Sequence, residues 1–190
     1  PLIRQLLVVA SCLALSIPGG CAFVDQKIGL NYARPDQSPV RHSGEITVTR
    51  ATARPSPRNG AGEWIVGSLN NVHGVHQADL LSDRSPEEWI TDALLHELRQ
   101  AGYTASYAES FPVTVRHGLA VTDVSAFLTV NKGAVSAETR HELKFNIEVY
   151  LNGDRLKTFT IASRDDRIVP FNASKEEKER IMLQSLQDAM

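Results

Sequence analysis

The chain has 190 residues, 42% hydrophobic, 22% charged and 6% aromatic, with 12 Gly and 9 Pro. That is the make-up of one globular domain, and it argues against wholesale disorder, collagen and coiled coil. Twenty basic against 22 acidic side chains leave a net charge of −2, without the basic excess by which nucleic-acid binders displace counterions. The imbalance that exists is local: residues 1–60 hold seven Lys/Arg and three Asp/Glu, which suits a solvated linker better than an anion site.

Residues 6–17 form an unbroken run of apolar and small side chains behind Arg4, followed by Pro18-Gly19-Gly20-Cys21. A short apolar run behind a positive charge, closed by small residues, is the pattern of a secretory signal. It falls short of the roughly 20 residues that span a bilayer. Because the chain opens at Pro1, the expected basic region is read as clipped. Both cysteines, Cys12 and Cys21, lie here and none follows, so the exported part is expected to hold no disulfide and no thiolate metal site. Gly-Gly-Cys resembles the lipobox of bacterial lipoproteins, with Pro18 departing from the usual Leu. By that resemblance Cys21 is the lipidated residue, diacylated and first in the mature chain. Val9-Ala10-Ser11-Cys12 fits the pattern as well but leaves a very short apolar run. Ala22, in place of Asp, implies sorting to the outer membrane, with the chain anchored rather than spanning.

Residues 21–44, with Gly29, Pro35, Pro39 and Gly44, read as a lipidated N-terminus and tether, although a short strand at 27–30 is compatible with Lys27-Ile28-Gly29-Leu30. Alternation of Ile46 and Val48 with threonines predicts a strand over 45–51. Pro55 to Gly60 reads as a loop or hairpin tip. Residues 64–69 predict a second strand and 72–80 a third, interrupted at Gly74. Ser85-Pro86-Glu87-Glu88 opens a helix over 86–101 with a capping box, a first-turn Pro and early acids. Trp89, Ile90, Ala93, Leu94, Leu98 and Ala101 fall on its inner face, and Gly102 ends it.

Val124, Ala126, Leu128 and Val130 mark one face of a strand within 119–131. Leu143, Phe145, Ile147 and Val149 mark another over 143–149. The turn that follows is constrained by parity. A two-residue Asn152-Gly153 loop in a regular ladder puts Phe159 and Ile161 on the polar face. A three-residue Leu151-Asn152-Gly153 loop pairs Phe145 with Phe159 and Leu143 with Ile161, and is the expectation here. Ser174 caps a last helix over 174–189, with Ile181, Met182, Ser185, Leu186 and Ala189 inward; that role also accounts for the Asn172-Ala173-Ser174 sequon. The sum is an α+β domain over 45–190, an antiparallel sheet packed by two helices in a two-layer sandwich.

No catalytic set emerges. His73 and His76 are three apart with Gly74 between, and His96-Glu97 lacks the His-Glu-x-x-His spacing, so no metal or cofactor is expected. There is no Gly-x-Ser-x-Gly elbow, and Gly60-Ala61-Gly62 lacks the Lys of a phosphate loop. Asp165-Asp166 reads as a charged turn whose side chains diverge. The unusual stretch is Gly67 to Gly74, in which Asn70, Asn71 and His73 make a candidate recognition loop or, more simply, a strand-to-strand turn.

The order of features resembles the YajG family of bacterial lipoproteins: Val66-Gly67 with Asn70 and Gly74, Trp89-Ile90, the Leu98–Tyr103 helix end, Val121 to Ala126, and Ile147 to Gly153. The resemblance implies an outer-membrane lipoprotein with a compact α/β domain in the periplasm, and it transfers no active-site residue. The expected function is non-enzymatic binding of another envelope component through a sheet edge or loops. The rivals are a hydrolase assembling His117, Asp123 and His141, and a carrier with an apolar cavity between helix and sheet.

Overall fold

The computed structural model describes residues 23–34, 42–51 and 55–190. The expected signal segment, with Cys12 and Cys21, lies outside them. In chain order the elements are β1 (Gln26–Lys27), β2 (Glu45–Ala51), β3 (Trp64–Asn70), β4 (His76–Ser82), α1 (Pro86–Gln100), β5 (Thr104–Tyr107), β6 (His117–Lys132), β7 (Ser136–Leu151), β8 (Asp154–Pro170) and α2 (Lys175–Ala189). None of the helices among the described residues is long and apolar enough to cross a membrane.

Both helices begin where their caps dictate. The Ser85 hydroxyl accepts from the Glu88 amide at 3.0 Å while the Glu88 carboxylate accepts from the Ser85 amide at 3.4 Å, satisfying two of the donors a helix start leaves open. At the other end Gly102 takes φ +94°, and the amides of Tyr103 and Gly102 close on the carbonyls of Leu98 and Arg99, both at 3.0 Å, a Schellman stop. Ser174 caps α2 by accepting from the Glu177 amide at 3.2 Å. One core gathers Trp89, Ile90, Ala93 and Leu94 of α1, Ile181, Met182 and Leu186 of α2, and sheet residues such as Val48, Val66, Leu128, Leu143 and Phe145.

The eight strands among the described residues form one sheet with two helices, so the α+β class stands, but the sheet is mixed rather than antiparallel. β6 is parallel to both β2 and β3, β2 is parallel to β5, and β1 to β4. β2 and β3 follow one another in the same direction along one edge of β6. The proline-rich segment before β3 is a small hairpin, as its sequence suggests: Arg58 bridges Trp64 antiparallel, and the Ile65 amide donates to the Pro57 carbonyl at 2.8 Å. Glu87 fastens this segment to the start of α1: its carboxylate accepts from the Ser56 amide and hydroxyl, both at 2.9 Å.

β6 holds the sheet together. Along one edge it pairs with β7 over nearly its whole length. Along the other, Gly118–Thr122 takes β2 and Leu128–Asn131 takes β3. Two local devices make this possible. Asp123, at φ +50°, begins a bulge where the pairing with β7 skips from Thr122 to Ser125, raising the local twist. At Gly67 a Cβ would strike the Leu128 carbonyl and the Leu80 side chain, so only glycine lets β3 lie this close to β6.

The β7–β8 hairpin differs from the expected three-residue loop. Asn152 (φ +52°) and Gly153 (φ +90°) form a two-residue turn closed by Leu151 opposite Asp154, as a type I′ turn requires. Parity is then corrected by a bulge. Tyr150 faces Arg155 but Val149 faces Lys157, so Leu156 is the extra residue. Beyond it Ile147 meets Phe159 and Phe145 meets Ile161. Nor is Asp165-Asp166 a turn: β8 runs straight through it, because Arg140 and Glu142 of β7 stand opposite Asp166 and Arg164 as cross-strand charge pairs. The expected tether also joins the fold in part. Gln26–Lys27 pairs with β4, and Ile28 and Leu30 are core residues, 3% and 2% exposed.

Candidate functional site

Open clefts stand at both ends of β6, which at about 3.3 Å per residue is roughly 50 Å long; one near its end, of about 220 Å³, is lined by Glu138, Arg140, Asp166 and Arg167. Where β6 begins, an apolar groove of about 360 Å³ is lined by Ile46, Tyr103, His117, Leu119, Val149, Leu151 and Leu156, with backbone at Gly44 and Gly118. Its volume is that of a small-ligand site. The loop before β6 forms part of the surround: Phe111 packs tilted on Tyr150 at 4.7 Å between ring centroids and lies where a Cβ on Gly118 would be. The Asn152 amide donates to the Arg116 carbonyl at 2.9 Å, tying the hairpin tip to this loop. His42 stacks on Tyr103 at 5.4 Å. Ser43, Glu45 and His117 add polar groups to the lining, and two polar side chains here are paired. The Tyr150 hydroxyl donates to Glu148 at 2.6 Å, which holds its pKa above the ordinary phenol value, and Arg155 pairs with the same carboxylate at 3.0 Å.

The groove runs into the outer edge of β8, which pairs with β7 alone among the described strands. That edge has two unlike halves. Arg164 to Arg167 is dense in charge, with Asp166 held by Arg140 at 2.8 Å and Arg164 at 2.7 Å, and Asp165 by Arg167 at 2.6 Å. Such residues blunt an edge against pairing. From Leu156 to Ser163 the only charge is Lys157, whose ammonium lies 4.4 Å from the Phe159 ring centre. Leu156 and Phe159 remain 62% and 45% exposed. Sequence reasoning missed both residues as site members: it set Phe159 on the inward face with Phe145, and the alternation does not show how much of that face stays exposed.

At the far end lies the candidate recognition loop. Asn70, the last residue of β3, donates to the Asn131 side chain at 2.9 Å. The Asn71 side chain accepts from the amides of His73 and Val75 at 2.9 and 3.0 Å, and Gly74 takes φ +73°, so both asparagines help to build the turn. His73 is exposed. A polar cleft of about 280 Å³ opens between this turn and the β6–β7 turn, lined by Asn71, Asn131, Lys132, Ser136 and Glu138.

His117, Asp123 and His141 are not brought together. His117 is at the groove, Asp123 sits in the β6 bulge accepting from Asn146 at 2.9 Å, and His141 faces Leu128. Those positions spread over about 36 Å of strand. His141 is fully buried, with no hydrogen-bond partner on either ring nitrogen; burial pushes its pKa down to about 4, partly opposed by Asp165. His76 pairs with Asp79 at 2.8 Å. No cluster of His, Cys, Asp and Glu arranged for a metal occurs among the described residues.

No family model matches the chain, and no curated protein matches it. Solved structures of similar shape include a DUF330-family protein from Xanthomonas campestris, 13% identical, covering 87% of this chain and 88% of its own, with a TM-score of 0.46. A neuraminyllactose-binding hemagglutinin homolog from Helicobacter pylori is 10% identical over 83% of this chain and 87% of its own, at TM-score 0.43. Rare lipoprotein B from Shewanella oneidensis is 13% identical over 65% of this chain and 89% of its own, at TM-score 0.34.

Proposed function

We propose that this chain is a YajG-like lipoprotein of the bacterial outer membrane, anchored through acylated Cys21 on the periplasmic face. Its role there is non-enzymatic: it binds another envelope polypeptide by strand addition to β8. The anchor is supported by the apolar run 6–17 closed by Gly-Gly-Cys. The observation that carries the binding role is the half of the free β8 edge with a single charge, Leu156–Ser163, continuous with the apolar groove. An extended segment of a partner would gain main-chain hydrogen bonds from the edge and seat alternate side chains in the groove.

A photoreactive residue at Phe159, activated in intact cells, is expected to give one discrete adduct. Thr158→Lys adds a gatekeeping charge to the edge and is expected to abolish that adduct while leaving the melting temperature unchanged. An adduct of equal yield in Thr158→Lys, or none in the parent, defeats the strand-addition reading. The groove alone favours a second reading, a site for an acyl chain. Native mass spectrometry showing lipid retained on the delipidated domain would select it.

A further inference from the structure

We infer that the end of the molecule opposite the groove is a membrane-docking face, whose turn tips insert into the headgroup and acyl boundary of the bilayer that the anchor enters. This rests on the anchor reading and adds a second, non-covalent contact to it.

The observation is the distribution of exposed apolar side chains. Val24, Val72, Val75, Val135, Ile168 and Phe171 are between 44% and 86% exposed. The pairing places all of them at one end. Asn70 meets both Asn131 and His76, so the 71–75 turn lies beside the end of β6. Lys132 meets Ala137, and Ser136 meets Pro170, which puts the 133–135 turn and the 168–172 segment at the same level. The N-terminal segment arrives there too: Lys132 holds its ammonium 4.4 Å from the Phe23 ring centre and 5.5 Å from that of Phe171. Phe23 follows Cys21 by two residues, at most about 7 Å of extended chain. Acylation at Cys21 therefore holds this end, and no other, against the lipid.

Charge is nearly absent from the tips. Residues 71–75, 133–135 and 168–172 contain no Lys, Arg, Asp or Glu. The Asp25 carboxylate is engaged by the Asp79 amide at 2.9 Å. A clustered apolar surface on a protein of otherwise ordinary polarity marks an interaction face. With Lys132 beside the tips and Glu138 in the cleft between them, the face has no basic excess and fits insertion into zwitterionic lipid rather than attraction to anionic headgroups. The Lys132 ammonium, beside the tips, is taken up by the faces of Phe23 and Phe171.

The test uses the acylated chain in phosphatidylcholine vesicles, with a polarity-sensitive fluorophore on Val135→Cys or, at the opposite end, on Val113→Cys. Cys21, as a thioether, takes no label. The probe at 135 is expected to be quenched by an aqueous quencher at least about fivefold less than that at 113, at low and high salt alike. Adding Val72→Asp to the Val135→Cys chain is expected to restore quenching. Equal quenching at the two positions on acylated protein, or no response to Val72→Asp, overturns the docking face and leaves the anchor standing. Mass spectrometry of the same preparation separates the two failures, since absence of acyl mass on Cys21 overturns the anchor and the docking face with it.

Discussion

His141 shows how one side chain can be misread from its type and correctly read from its position. As a histidine it invites a catalytic role. As a member of the series Ala137, Thr139, His141, Leu143, Phe145 on β7, it belongs to the buried face, and the alternation over 143–149 already points there when continued backward. Its ring is dry and unpartnered, which favours the neutral form. The consequence for stability has a definite sign. The unfolded ring titrates near its ordinary value of 6.5 and the folded one at about 4. Below about 6.5 the unfolded state therefore binds the proton first, and this contribution is lost as pH falls through that window. With 1.36 kcal/mol per unit the loss amounts to about 3 kcal/mol by pH 4. Chemical denaturation at pH 7 and pH 5 should show it. His141→Leu is expected to flatten the slope and to cost little at pH 7, because it leaves no buried polar atom unpaired. A pH profile unchanged by His141→Leu would refute this account.

Elements with a repeating signal were legible. The capping residues Ser85 and Ser174, the inward stripes of both helices and the alternation of β2 and β7 each follow from a period or a cap that the sequence states locally. The turn after β7 was half legible. Parity correctly required Phe159 and Ile161 to share a face with Phe145, but a bulge satisfies that demand as well as a longer loop, and nothing local distinguishes the two. The bulge makes a prediction of its own. Deleting Leu156 removes the extra residue and leaves every pairing from Lys157 onward intact. It is therefore expected to shift stability by no more than about 1 kcal/mol in denaturant midpoint, within the range of surface changes. A loss of several kcal/mol would mean that Leu156 supports the core rather than correcting the register. β5 escaped notice for a different reason: Thr104 to Tyr107 is four residues with one buried side chain, too short to carry a period.

For the whole molecule, what sequence could not supply was the partner of each edge. Parallel pairing of β2 and β3 with β6 joins residues about 60 to 70 positions apart, and no local pattern encodes that. The N-terminal segment is the same kind of case. Residues 26–34 are strapped between the helices: the Gly29 amide donates to Glu179 at 2.5 Å, Tyr32 donates to Glu97 at 2.5 Å, and Arg34 pairs with the same carboxylate at 3.0 Å. Burial and the Glu97 bond together push the Tyr32 phenol well above its ordinary pKa. A chain beginning at Glu45 is accordingly expected to be less stable than one beginning at Phe23 by about 4 kcal/mol, counting only the burial of Ile28 and Leu30. Comparison of the two denaturant midpoints checks it, and equal midpoints would return this segment to the status of a tether.

The shared strand β6 has a mechanical corollary. Its ladder with β7, and that of β7 with β8, lie along the line joining the groove to the end where Phe23 sits. In an antiparallel ladder the hydrogen bonds run across the strands. A pull applied between those two ends would load many such bonds together in shear, not open them one at a time from a corner. A molecule fixed at one end and gripped at the other would thus bear tension along its stiffest direction.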